Sequence, residues 1–359
     1  MGHWYRWFPK KFRKAGYNVK IVDGEPLTDK IEKGAFLDVN GATYYTLTQL
    51  QKIARTFRQG EVKNEDIFFF GDIEFPGYVE TIKRLAELQN INVKLYGFLH
   101  AGSYTREDFV SKLAPWHKYF ELGWLKVCDG VFVGTYYHKS QVVNLRVKPY
   151  APEEDQQELI NKIHVTGNPW NTEEVRSMVQ PLPKKENIII FPNRFDYEKR
   201  PNLFLDLCLI LADEYPDLEY VVTTSHPSIK SNQPWLVKLC LAIQERFKGK
   251  LMVYKNLEKA SYYYLLAKSK IMFSSSIEEN FGYTVLEAMT FGTNPLLPNN
   301  YSYPELVNGD RRFLYSNLDE ALEKVPKLLK TYSHNLLKKA RVYDRSIDRM
   351  IQIMEENND

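Results

Sequence analysis

Residues 278–305 read EENFGYTVLEAMTFGTNPLLPNNYSYPE. Glu279 and Glu287 stand eight positions apart in this stretch. Asn280, Phe281 and Gly282 form a turn between them, and an apolar run opens at Tyr283 and Thr284. Just upstream, Lys270 to Ser276 (KIMFSSS) reads as a short buried strand. The order is therefore strand, acidic loop, glycine, helix. Such a turn makes an anion site, because first-turn amides are unpaired and the helix dipole favours negative charge. With a diphosphate on those amides, Glu287 lies about one turn into the helix, within reach of a ribose. Glu279 sits in the loop, on the side where the rest of the ligand would extend. This is the layout of a nucleotide-sugar site.

Two glutamates at this spacing alone would be an ordinary strand–loop–helix unit with solvated acids. Here Phe281-Gly282, Leu286-Glu287-Ala288, Gly292 and Pro295 accompany them. In that company the segment resembles the donor-site signature of retaining glycosyltransferases of the GT-B fold, glycosyltransferase family 4 in particular. The resemblance implies two doubly wound, Rossmann-like α/β domains facing across a cleft. It implies a UDP- or GDP-sugar as co-substrate and no cofactor or metal. Glu287, Asn280, Phe281, Gly282, Tyr283 and Thr284 would bind the donor, with Glu279 beside its sugar.

Length and composition agree with this. A chain of 359 residues exceeds the size at which one core keeps growing, so two domains are expected. Aromatics at 14% supply ample core, and a charged fraction of 26% is ordinary. Cys128, Cys208 and Cys240 lie scattered in apolar contexts without metal spacing, which suggests buried free thiols and a reducing, cytoplasmic setting. No apolar run approaches the roughly 20 residues that span a bilayer, and no signal-peptide core opens the chain. A net charge of +3 permits a polyanionic partner without demanding one.

Residues 61–150 alternate strand-like and helix-like segments: Asp66 to Phe70, Tyr78 to Gln89, Val93 to Leu99, a helical stretch over about 106–127, then Asp129 to Val133. Alternation of this kind implies a parallel sheet whose ligands bind beyond the carboxyl ends of its strands. After the Pro-punctuated stretch Gln180 to Lys185, the pattern restarts with the strand Asn187 to Phe191. We expect an acceptor-binding domain over 1–170, a donor-binding domain over 171–335, and a C-terminal helix, 336–359, returning to the first domain. The N-terminus departs from the family: it opens helix-like, its first evident strand is Asn18 to Val22, and Gly2 and His3 are all that could remain of a glycine loop.

Phe191-Pro-Asn-Arg194 and Phe195-Asp-Tyr-Glu-Lys199 follow the second domain's first strand. In isolation these are solvated loop charges. The resembling family has Arg and Lys at this spacing on the donor diphosphate, where cations stabilise a leaving group that gains negative charge in the transition state. His100 ends the strand VKLYGFL and Asp72 the strand before it; the resemblance sets His100 against the donor sugar, and Asp72 could orient the acceptor hydroxyl. Gly102, Ser103 and Tyr104 follow on the acceptor side. His226, after the strand EYVVTT, lies where donor base or phosphate could pass.

The acceptor is a modified base in DNA or tRNA, a glycan or lipid-linked sugar, or a small metabolite. The loop PNNYSYPEL together with Asp72, His100 and the Arg194 block resembles the branch containing queuosine-tRNA mannosyltransferases and viral DNA-base glycosyltransferases. The queuosine enzymes of that branch have a His-Glu-Asn-Gln type stretch where this chain has His100-Ala-Gly-Ser-Tyr, so acceptor recognition is expected to differ. Trp4 to Lys14 interleaves aromatics with cations, which suits nucleic acid, an anionic membrane, or simply an amphipathic first helix. Trp7, Tyr104 and Trp116 are the candidates for stacking on a flipped base. A non-catalytic nucleotide-sugar binder, and a phosphorylase or epimerase on the same fold, are the rivals.

Overall fold

The computed structural model describes residues 3–27, 39–247, 249–331 and 335–357. The chain forms two compact units, Met1–Pro169 with Arg345–Asp359, and Trp170–Asp344. The return to the first unit thus begins at Arg345, nine residues after the expected 336. Gly2 lies outside the described residues.

The first unit carries β1 (Ile67–Phe70), β2 (Lys94–Phe98), β3 (Gly130–Val133) and β4 (Ile163–Val165), all parallel, in the spatial order β1-β2-β3-β4. Its helices are α1 (Trp4–Lys14), α2 (Val39–Arg58), α3 (Tyr78–Leu88), α4 (Ala114–Val127), α5 (Tyr136–Val142), α6 (Lys148–Tyr150) and α7 (Glu153–Asn161). A π-helical turn, Val143–Val147, joins α5 to α6. Side chains alternate across each strand. Phe70, Leu95, Val131, Val133 and Ile163 therefore share one face, packed on Ile53 and Phe57 of α2, Ile82 of α3, and Trp124 and Leu125 of α4.

The opposite face presents Phe69, Phe98 and Phe132. Trp4, Phe8 and Phe12 cover it, with ring centroids 5.2 Å (Trp4–Phe98), 4.8 Å (Phe8–Phe69) and 5.1 Å (Phe12–Phe69) apart. Beside α1 lies the C-terminal helix, which buries Ile347, Met350, Ile351 and Met354 and pairs Asp348 with Lys11 at 2.8 Å. Spatial order equals chain order here, so the connecting helices gather on one face and the other needs its own cover. Trp4, Trp7, Phe8 and Phe12 of α1 are thereby spent on the core, while Tyr5 and the cations face outward. The amphipathic-helix reading of this segment holds. Asn18–Val22 is extended but joins no sheet: the carbonyls of Val22 and Asp23 accept from the side chains of Gln49 and Lys52 on α2.

The second unit is a six-stranded parallel sheet in the order β10-β9-β8-β5-β6-β7. Its strands are β5 (Glu186–Phe191), β6 (Glu219–Thr223), β7 (Leu251–Tyr254), β8 (Ser269–Phe273), β9 (Asn294–Pro298) and β10 (Leu314–Tyr315). Between them run α8 (Thr172–Ser177), α9 (Pro201–Glu214), α10 (Pro234–Arg246), α11 (Lys259–Lys268), α12 (Tyr283–Thr290), α13 (Tyr303–Leu306), α14 (Leu318–Lys330) and α15 (Asn335–Arg341). Over its described residues, the expected C-terminal helix, 336–359, is divided by a 3-10 turn, Val342–Arg345, into α15 and α16 (Ser346–Glu356). Strand order reverses between β5 and β8, which makes their carboxyl ends a topological switch point. Cys128, Cys208 and Cys240 are buried and unpaired. Among the described residues no helix is long and apolar enough to cross a membrane.

Candidate functional site

Two loops meet at the switch point of the second unit. The first follows β5 and carries Asn193, Arg194 and a 3-10 turn, Tyr197–Lys199. It ends at Arg200, whose φ of 47° is left-handed. Pro201 explains part of this, because a residue before proline is pushed out of the right-handed helical region. The second loop follows β8 and carries the buried Ser274, Ser275 and Ser276, then Glu279 to Gly282.

Three contacts stitch the loops together. Ile277 N–H donates to the Glu198 carbonyl at 2.9 Å. The Ser275 hydroxyl reaches the carbonyls of Lys199 and Arg200, each at 2.9 Å. Lys199 Nζ donates to Glu279 Oε2 at 3.0 Å, with both side chains largely buried. Arg194, 43% exposed, reaches Glu198 Oε1 at 2.8 Å. Burial pushes the Glu198 carboxyl up, and the Arg194 guanidinium opposes that shift. Two expected cations and one expected carboxylate are thus assembled by a framework built largely of serine hydroxyls and backbone.

Gly282 caps α12 with φ +91°. A Cβ there would stand 3.2 Å from Leu306 Cδ1, so both conformation and space call for glycine. Ser302 closes the turn, its hydroxyl donating to the Phe281 carbonyl at 3.1 Å and its N–H to Glu279 O at 3.3 Å. Phe281 is buried, and Tyr283 packs 6.0 Å from Trp170. Asn280, Tyr283 and Thr284 lie at the mouth of this turn, half-buried.

Glu287 is not the open carboxylate that its position in the sequence suggests. Its Oε1 accepts from Lys259 Nζ at 2.7 Å and from Tyr263 at 3.3 Å, and its Oε2 from Tyr262 at 2.7 Å. Burial and the Glu287 charge raise both tyrosine pKa values, which keeps the hydroxyls as donors. Sequence reading missed this trio. Their signal was KASYYYLLAK, a polar-aromatic helix with Lys259, Tyr262 and Tyr263 spaced about one turn apart. His226 lies on the loop after β6, its ring Nδ1 3.1 Å from Ser228 Oγ.

In the first unit, Asp72 and His100 lie at the carboxyl ends of β1 and β2. His100 Nε2 meets the Gly71 carbonyl at 3.1 Å, and Trp4 and Phe98 pack on its ring at 4.7 and 4.8 Å. Burial lowers the His100 pKa while Asp72 opposes, and burial raises the Asp72 pKa while His100 opposes. An imidazole coupled to a carboxyl suits hydrogen bonding to hydroxyl groups. Gly102, Ser103 and Tyr104 are all buried. Ser103 N–H donates to Glu121, its hydroxyl accepts from Arg146 at 2.9 Å, and the Tyr104 hydroxyl meets His138 Nε2 at 2.6 Å. A Cβ on Gly102 would clash with Tyr104 at 2.3 Å. These three residues build a core network under the strand ends and are not displayed on a surface. Among the described residues, no group of three or more His, Cys, Asp or Glu is placed to hold a metal ion.

Residues 153–345 match the family of glycosyl transferases, group 1. The chain belongs to that family. This group 1 glycosyl transferase is 28% identical over 130 residues to the tRNA-queuosine alpha-mannosyltransferase of Drosophila melanogaster, covering 36% of this chain and 33% of the relative. The chain thus matches about a third of that relative's length. Among solved structures it is similar to sucrose-phosphate synthase of Thermosynechococcus elongatus, with a TM-score of 0.64, 13% identity, and coverage of 98% of this chain and 92% of the other. It is also similar to alpha,alpha-trehalose 6-phosphate synthase of Burkholderia multivorans, with a TM-score of 0.62, 11% identity, and coverage of 90% and 78%. At these identities the structural likenesses establish the GT-B fold of the group 1 enzymes.

Proposed function

We propose that this glycosyltransferase moves a sugar from a nucleotide diphosphate to an acceptor hydroxyl with retention of anomeric configuration and without a metal. The observation that carries the reading is the Lys199–Glu279 bridge across the switch point, with Arg194 and the α12 N-terminus beside it. The diphosphate rests on the first-turn amides of α12, and Arg194 and Lys199 offset its charge. As the glycosidic bond breaks, the electron pair stays with the leaving diphosphate, so both cations bind the transition state more tightly than the ground state. They take the part a divalent ion would otherwise play.

Glu279 is tied to Lys199 and is not a free nucleophile. The acceptor therefore attacks from the face the leaving group departs, and a donor phosphate oxygen takes its proton. Glu279 holds the sugar hydroxyls. Each carboxylate oxygen has two lone pairs. Oε2 of Glu287 carries only the Tyr262 hydrogen bond and keeps a place for a ribose hydroxyl, while Lys259 and Tyr263 fill Oε1. His100 and Asp72 serve the reacting sugar and the acceptor hydroxyl.

The acceptor we favour is a modified base in nucleic acid. The loop pattern around Tyr301 to Glu305 and the name of the Drosophila relative support it. The test is turnover of UDP- and GDP-sugars with chelator present, and the anomeric configuration of the product read by NMR. Retention in full chelator is expected. An inverted product, or activity that chelator abolishes and metal restores, would overturn the mechanism.

A further inference from the structure

Between Phe109 and Tyr150 the sequence has only two carboxylates, Glu121 and Asp129. Both are occupied internally: Glu121 by Arg146 and the Ser103 amide, Asp129 by the Leu95 amide and Lys94. Of the cations in the same stretch, Lys126 pairs with Asp155 and Lys139 donates to the Ile163 carbonyl. Lys112, Lys118 and Lys148 remain, on and beside α4 and α6, with no acid of their own segment left to meet them.

Among these lysines stand four aromatic rings that the core does not use. Trp116, Tyr119, Phe120 and Tyr150 are 37–61% exposed. Trp116 and Phe120 lie one turn apart on α4, edge to face at 5.8 Å. Tyr119 meets Tyr150 at 6.4 Å, and Lys118 Nζ lies 5.2 Å and 4.5 Å from the centres of those two rings. Buried His117, Trp124 and Leu125 anchor the opposite side of α4, so the exposed rings are held on a fixed helix. Monomeric proteins rarely gather large apolar groups on the surface without a partner.

We propose that this aromatic–lysine face of α4 and α6 docks an unpaired segment of nucleic acid, such as a hairpin loop. The charge selects a polyanion. The rings select one with flat, unstacked bases, because every base offers a π-face and duplexed bases do not. Rings and not aliphatic chains make the patch, Leu145 being the exposed exception, and two of the four rings carry hydroxyls; this favours bases over a bilayer. The inference builds on the nucleic-acid acceptor proposed above and assigns the loop-binding surface that reading lacks.

The experiment measures binding of a labelled RNA hairpin, a DNA hairpin, the matching blunt duplex and phosphatidylserine vesicles to the full chain over a range of salt. Variants are Trp116→Ala with Tyr119→Ala, Lys118→Gln, and a distant surface control, Lys238→Gln. Hairpins should bind better than duplex. The double ring variant should lose about tenfold or more in hairpin affinity, and Lys118→Gln should flatten the salt slope by about 0.7. Binding of UDP or GDP alone should stay unchanged in every variant, which shows that they fold. Equal hairpin affinity in wild type and ring variants would overturn the proposal, as would binding to vesicles in preference to hairpins. If hairpins bind through the rings but receive no sugar, the docking surface stands and the acceptor assignment fails.

Discussion

Arg194 and Lys199 differ in how firmly they are held, and this separates their expected effects. Lys199 is largely buried against Glu279, so its ammonium is already held in place at the site proposed for the leaving diphosphate. Arg194 is half exposed and shares Glu198. Lys199→Ala and Arg194→Ala should each lower kcat about a hundredfold, the scale seen when a positioned charge-stabilising donor is removed. Stopped assays over donor concentration check this, and rates within about threefold of wild type, under roughly 0.7 kcal/mol of barrier, would show that the site is misassigned. Glu287→Gln should instead raise the donor KM and leave kcat nearly intact, because its proposed role is to hold the ribose, away from the breaking bond. His138 offers a pH prediction. Burial holds its pKa down to about 3, with His100 adding to the effect. The unfolded chain takes up this proton near pH 6.5, so stability is full above that value and is lost as pH falls toward about 3. Tm measured between pH 4 and 8 should fall on the acid side, and His138→Gln should flatten the fall.

At the scale of elements, Gly282 and α16 are the places to strain the fold. Gly282→Ala forces a left-handed residue with a side chain against Leu306, and should cost about 1–2 kcal/mol. In a unit of this size that lowers Tm by about 2–8 °C, with a matching loss of donor affinity. Met350→Ala opens a cavity beneath α16 and should cost about 2–5 kcal/mol by chemical denaturation. The second unit was the more legible from sequence. Its central strands are continuous apolar runs, its glycine caps the helix that follows one of them, and the candidate site residues coincide with the switch point. The first unit hid more. β4 is three residues long and carries His164, which masks its apolar signal. Asn18–Val22 has strand composition, yet side chains of α1 and α2, Arg13 and Gln49, hold its Val19 and Val22 carbonyls. Glu287's partners were hidden because an ion pair 28 residues apart leaves no trace in local spacing. Ser103 and Tyr104 looked like loop residues, and only the buried Glu121–Arg146 pair reveals them as core.

For the whole molecule, a net charge of +3 says little about partners, whereas its distribution says more: lysines with no acid left in residues 109–150 collect around exposed rings on α4 and α6. On the proposed reading, the second unit binds the donor at its switch point, and the first supplies His100, Asp72 and the acceptor surface. Transfer to nucleic acid should weaken steeply as salt rises, because counterions compete for the phosphate contacts. Transfer to a neutral glycan should not. The most direct test supplies radiolabelled UDP- and GDP-sugars to wild type, Lys199→Ala and Arg194→Ala, with tRNA, hydroxymethylated DNA and an oligosaccharide mixture in parallel at several salt concentrations. Label should enter nucleic acid, decline with salt, and fall about a hundredfold in both variants. Label confined to oligosaccharide and indifferent to salt, or undiminished in both variants, would contradict the account.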